Sequence, residues 1–270
     1  MSAVPEFGVP AGDGLPQGAV EALREILGRQ DPGVVGVLLS GSAARGLATS
    51  RSDVDVYVVD DGAGPSVVDR RPGVDEVRLT LAELEQPAPF GSDGWWYRWS
   101  FAWALVLRDD AGGRVAAAVK RQATLTAQEQ DDILAARLDG YINFVYRALK
   151  ADRDGRDRER RLDAAESTPW LLDIVFALEG RVRPYNKYLA WELHQHPLDN
   201  PDWSAQRLLP LLDAALSGDP VALRELYRGV EHRCLLRDAD RGTNALATTI
   251  EGWGPDLTLL RGDDTNGRGS

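Results

Sequence analysis

Asp53 and Asp55 stand one residue apart in "DVDVYVV" (53–59), a run in which polar and apolar residues alternate. Alternation of period two marks a β-strand, and side chains at i and i+2 of a strand share a face. The two carboxylates therefore project together, while Val54 and Val56 pack the other way. Like charges so placed repel unless something positive lies between them. A divalent cation supplies that charge, and oxygen-rich sites of this kind suit Mg2+ or Mn2+, bound through a few carboxylates with phosphate oxygens and water. The chemistry open to such a pair is displacement at phosphorus, where positioning and charge neutralisation matter more than covalent participation.

Upstream, Gly41 and Ser42 close the apolar run "GVVGVLLS" (33–40). Glycine lets backbone N–H groups approach a phosphate, and the Ser42 hydroxyl can donate to the same oxyanions. The following "AARGLA" reads as a short helix, in which Arg45 is a further phosphate contact or else the partner of a surface acid. Ser52 shapes the turn into the next strand. A third acid is expected on "VDEVRLTL" (74–81), where Val77, Leu79 and Leu81 form the apolar face with Asp75 on their side. Glu76 shares the polar, open face with Arg78 and Thr80, so it is preferred to Asp75. An Asp-x-Asp or a Gly-Ser alone recurs by chance. The ten residues between Ser42 and Asp53, the flanking strands and the later acid together make a specific pattern.

These residues need a scaffold. "PQGAVEALREILGRQ" reads as an amphipathic helix with Val20, Leu23, Ile26 and Leu27 on one stripe, and "GVVGVLLS" as a central strand buried on both faces. "DDGAGPSVVDRRPG" reads as a loop. Then come a strand "SFAWALVL", a turn at "DDAGG" and a returning strand "RVAAAV". From Thr126 the pattern is helical, with Ile133, Leu134, Leu138, Tyr141, Ile142 and Val145 at helical spacing. The charged run "DRDGRDRERR" breaks it before helices in "LLDIVFALEG", "PYNKYLAWELHQ", "WSAQRLLPLLDAAL" and "DPVALRELYRGVEHRCLL". The expected class is α+β: a loose N-terminus (1–16), a mixed-sheet domain (17–122), a helical, bundle-like domain (123–260) and a disordered tail (261–270). A cleft between the two domains is the expected ligand site.

Composition narrows the partners. The chain has 270 residues, 43% hydrophobic and 27% charged, as in an ordinary globular protein. Its single cysteine, Cys234, excludes an internal disulfide and a cysteine zinc cluster, and fits a reducing cytoplasm. No basic start precedes an apolar core, so no secretion signal is expected, and no apolar run reaches membrane-spanning length. A net charge of −11 repels a phosphate backbone and counts against a nucleic-acid partner.

"GSAARGLATSRSDVDVYVV" resembles the signature of nucleotidyltransferases of the DNA polymerase β superfamily: Gly-Ser, a spacer of this length, Asp-x-Asp, and a third acid on a later strand. The likeness is close over Leu38–Val59, and looser through "VDEVRLTLAEL" and the helical half, which looks like that of two-domain bacterial aminoglycoside nucleotidyltransferases. It implies transfer of a nucleoside monophosphate, usually AMP from ATP, to a small-molecule hydroxyl with release of pyrophosphate. By position, Gly41 and Ser42 would hold the β- and γ-phosphates, Asp53 and Asp55 two Mg2+ ions, and Glu76 a metal or the acceptor's proton. Lys187 and Tyr188 in "RPYNKYLAWEL" would reach the triphosphate from the helical domain, or else be a solvated lysine and a core aromatic. Glu166, Asp173 and Glu179 would present acids to a cationic acceptor or simply face solvent, and Trp95, Trp96 and Trp99 would wall the base or acceptor, with Trp103 in the core. His194, His196 and His232 lack metal-ligand spacing. Two other readings share these residues: a toxin-type enzyme that modifies tRNA or a protein, and a non-catalytic nucleotide-binding regulator or antitoxin.

Overall fold

A computed structural model describes residues 18–29, 31–62, 67–71 and 73–262, and the architecture is α+β. The chain divides into two compact units, Met1–Thr124 and Leu125–Ser270. The expected loose N-terminus and nearly all of the expected tail lie outside the described residues.

The first unit is built on a five-stranded sheet. Its strands are β1 (Val34–Leu39), β2 (Val54–Asp60), β3 (Val67–Arg71), β4 (Val74–Thr80) and β5 (Leu105–Asp109), in spatial order β3-β4-β2-β1-β5. β2 and β4 run parallel and every other pair is antiparallel. Helices cover both faces. On one, Leu23 and Ile26 of α1 (Ala19–Gly28) pack on Val37, Leu39, Val54, Val56, Val58 and Val74. On the other, Leu38, Val59 and Leu79 meet α3 (Leu81–Glu85), Phe101 of α4 (Arg98–Phe101) and Val115, Ala118 and Val119 of α5 (Arg114–Ala123). A short helix α2 (Gly41–Ala44) follows β1 directly.

Three expectations are corrected. The supposed loop before β4 contains the edge strand β3. "RVAAAV" is the helix α5: three alanines favour helix, the Asp109 carboxylate accepts from the Ala111, Gly113 and Ala116 amides, and Val115, Ala118, Val119 and Gln122 form one buried stripe. "SFAWALVL" is split between α4 and β5 by a turn in which Trp103 takes φ 64° and lies 41% exposed, so Trp103 is not core. Trp99 is the buried one.

The second unit is helical. α6 (Ala127–Arg153), opened by a Thr126/Glu129 capping box, and α7 (Asp157–Leu178) form an antiparallel hairpin closed at its base by Leu125 N–H donating to Gly180 O. α7 starts inside the charged run, earlier than the apolar pattern suggests. Around the hairpin pack α8 (Leu189–Gln195), α9 (Ala205–Leu216), α10 (Pro220–Arg241), α11 (Ala245–Glu251) and α12 (Leu257–Arg261), over a core that includes Tyr141, Phe176 and Tyr227. Among the described residues, no helix is long and apolar enough to cross a membrane.

Candidate functional site

β1 delivers its C-terminal end beside the start of β2, because the two strands are antiparallel and Leu39 pairs with Val56. The Asp55 carbonyl accepts from the Ser40 amide at 2.8 Å, so the Gly41–Ser42 turn lies against the acids. Gly41 has φ 63°, a left-handed conformation that costs an L-residue free energy. A Cβ there would collide with the Asp55 side chain, its position only 2.8 Å from Asp55 Cγ. Glycine is thus required twice over: for the turn, and to let the Asp55 carboxylate rest on the backbone. Asp53, just before β2, is exposed and Asp55 is half-buried, both on the face shared with Tyr57 and Val59. Ser52 shapes the entry, accepting from the Thr49 amide at 2.9 Å.

The register corrects the third acid. β4 runs parallel to β2 with Asp55 opposite Asp75 and Val56 opposite Glu76. Directly paired residues share a face, so Asp75 joins Asp53 and Asp55 while Glu76 points to the α1 side. Glu76 is 2% exposed and takes Arg29 Nη1 on both carboxylate oxygens (2.9 and 2.8 Å), with Arg78 Nε at 3.3 Å. Arg29 also binds Glu25, and Arg78 binds Asp31. Glu76 therefore clamps α1 to the sheet and is turned away from the other two acids. Its polar neighbours in sequence are the surroundings of a buried ion-pair network, which strand periodicity cannot tell from an open face.

Arg45 is also corrected. It is 4% exposed, and its guanidinium donates to Gly41 O (2.6 Å), Trp99 O (3.4 Å), Ser100 O (3.3 Å) and Ala102 O (2.5 Å), with its Cζ 4.3 Å above the Trp99 ring. Directed at carbonyls, it is not placed as a phosphate ligand. Sequence reasoning missed Tyr57 and Ser100. The Ser100 hydroxyl donates to Tyr97 O (2.6 Å), so the Tyr57 hydroxyl, 2.9 Å away, donates to Ser100. Burial foremost, and the neighbouring Asp55 charge as well, hold the Tyr57 phenol above its usual pKa.

The aromatic wall is divided. Trp99 is core, Trp95 packs edge-on against Phe90 beneath Arg98, and Trp96 is 67% exposed. In the second unit Lys187 is exposed with its ammonium 4.7 Å from the Tyr188 ring centroid, and Tyr188 is buried and so serves packing. Asp173 is taken by Arg137 and Arg183, and Glu179 by Arg233 and the Asp199 and Asn200 amides, leaving Glu166 as the exposed acid of the three.

Could the acids hold a metal? Among the described residues no three His, Cys, Asp or Glu side chains form a ready-made cluster. The donor set nevertheless fits Mg2+ shared with a polyphosphate, which needs only one or two carboxylates because phosphate oxygens and water complete its octahedron. Asp53 and Asp55 are separated by about 6.7 Å of strand and Asp75 lies about 4.8 Å away on the next one. The glycine cradle seats Asp55 beside the turn where phosphates would lie.

The family model described as a nucleotidyltransferase domain matches residues 20–86, which span α1 to α3 and all of these acids. Residues 20–86 are thus similar to the nucleotidyltransferase domain. No curated protein matches the chain. Among solved structures it is similar to a nucleotidyltransferase-like protein from Exiguobacterium sibiricum 255-15, 12% identical over 91% of this chain and 87% of that one, with a TM-score of 0.43.

Proposed function

We propose that the chain transfers a nucleoside monophosphate, AMP from ATP first among them, to a hydroxyl of a small molecule, with aminoglycoside-like compounds as the leading acceptors. The observation that carries this reading is the seating of the Asp55 carboxylate on Gly41, with Asp53 on the same face. Mg2+ bound by Asp53 and Asp55 would neutralise the phosphates and polarise the α-phosphorus. The chain's own residues do the rest. The Gly41–Ser42 turn offers backbone and hydroxyl donors to the β- and γ-phosphates. Asp75 takes the proton from the acceptor hydroxyl as its oxygen bonds to the α-phosphorus and the bond to pyrophosphate breaks.

The test is incubation of the full chain with α-labelled ATP, Mg2+ and either an aminoglycoside panel or total tRNA. Label on an aminoglycoside, abolished by EDTA and by Asp53→Asn with unchanged melting, is the expected result. Label on tRNA would replace this reading with the toxin-type one, which the charge of −11 disfavours. Nucleotide binding without transfer to any acceptor would leave the regulatory reading standing.

A further inference from the structure

Arg45 follows the Gly41–Ser42 turn, yet its guanidinium is buried among carbonyls and not open to solvent. Removing a cation from water is costly, and here four backbone carbonyls and an indole face receive it. One of those carbonyls belongs to Gly41; the other three belong to residues 99, 100 and 102, more than fifty positions further along. The guanidinium is therefore a strut between the turn and the α4 segment. A second strut runs alongside it, the Ser40 hydroxyl donating to Ser100 O. The α4 segment is in turn held from behind by buried Arg98, which donates to Gln122 O (3.1 Å) and Thr124 O (2.9 Å).

The consequence lies in peptide geometry. A trans peptide is planar, so its C=O and N–H point in opposite directions. With Gly41 O drawn 2.6 Å from Arg45 Nη1, the Ser42 N–H of the same plane is turned away from the guanidinium. Neither that amide nor the Ser42 hydroxyl makes a hydrogen bond among the described residues. The left-handed Gly41 would otherwise let this plane rotate, since glycine has access to several backbone basins.

We propose that Arg45 is a positioning residue for the nucleotide: it touches no phosphate, but by gripping the Gly41 carbonyl it aims the Ser42 amide at them. This rests on the nucleotidyl-transfer reading of the site. A lysine cannot substitute, because one compact ammonium does not span the carbonyls that a planar fork reaches on two sides.

The experiment compares the full-length wild type with Arg45→Lys and Arg45→Ala. Two quantities are read: the Mg2+-dependent dissociation constant for a non-hydrolysable ATP analogue, and the backbone amide chemical shifts of Ser42. Both variants should bind about 10- to 100-fold more weakly, as expected for donors misplaced by about 1 Å. The Ser42 amide proton and nitrogen shifts should move while the β1 and β2 amides keep theirs, and ethylguanidinium should restore affinity to Arg45→Ala but not to Arg45→Lys. Affinity within twofold of wild type in Arg45→Lys overturns the proposal. So does a loss that merely follows the unfolded fraction, or one that ethylguanidinium leaves untouched. If the wild type itself binds no nucleotide, the functional reading fails, and unchanged Ser42 amide shifts in Arg45→Lys would separately show that Arg45 does not set the turn.

Discussion

Gly41→Ala separates two roles of one glycine. Alanine at φ 63° carries a left-handed penalty of roughly 1–2 kcal/mol wherever it occurs. Gly91 makes the matched control: its φ is 82°, and a Cβ there meets nothing within 4 Å, so Gly91→Ala should show that penalty alone. At Gly41 the added methyl meets the Asp55 side chain, and either the carboxylate or the turn must move. The total cost at Gly41 should reach about 2–3 kcal/mol, against about 1–2 kcal/mol at Gly91. The larger effect should appear in binding, because the displaced group is a proposed metal ligand: about a 100-fold loss of Mg2+-dependent nucleotide affinity. Urea denaturation gives the first number and titration with a non-hydrolysable ATP analogue the second. A Gly41→Ala protein no less stable than Gly91→Ala, and binding nucleotide within twofold of wild type, would refute the contact between the turn and Asp55.

Neighbouring acids of β4 should part company. Asp75→Asn should lower transfer by about 10²- to 10⁴-fold with the melting temperature kept, as for loss of a general base. Glu76→Gln should instead cost about 1–3 kcal/mol by uncoupling Arg29 and Arg78, with nucleotide affinity retained; the reverse pattern in calorimetry and kinetics would restore Glu76 to the site. Burial pushes the Cys234 thiol from 9.0 up to about 12, so it should resist iodoacetamide at pH 8.5 until the helical unit unfolds. Because the unfolded thiol loses its proton first, its contribution to stability is complete below pH 9 and is lost between pH 9 and 12. Denaturation midpoints across that window, compared with Cys234→Ala, check the sign.

Much of this architecture was legible because it is written in local periodicity. α1, β1, β2, β4 and the helices from Thr126 onward each carry their apolar spacing in one continuous stretch. The errors fall where local and tertiary signals conflict. β3 is a short edge strand of "VVDRR", whose charges read as loop although they suit an unpaired edge. α5 alternates weakly enough to pass for a strand, and only the Asp109 cap and alanine propensity decide for helix. Arg45 and Asp173 look like available charges in the sequence alone; both are consumed by partners elsewhere in the chain, which no spacing rule can supply.

The third acid is the instructive case, since the residue preferred from periodicity is the one the fold removes. On a sheet with one open face, apolar residues mark the inside and polar ones the outside, and Glu76 would then face the ligand. This sheet is covered on both faces, by α1 on one and by α3 to α5 on the other, so a polar residue can be inside so long as its charge is met. Arg29, at the end of α1, meets it. What decides the matter is then the pairing of β4 with β2: a parallel register that sets Asp75 against Asp55 places Asp75 among the acids whatever the hydrophobic pattern of its own strand. A register shifted by one residue would exchange the two carboxylates, turning Glu76 toward Asp55 and Asp75 toward Arg29. The Arg29–Glu76 ion pair opposes that shift, because Asp75, one methylene shorter, would have to replace Glu76 in both contacts with Arg29. A charge outside the acid cluster thus helps to keep Asp75 on the same side of the sheet as Asp53 and Asp55.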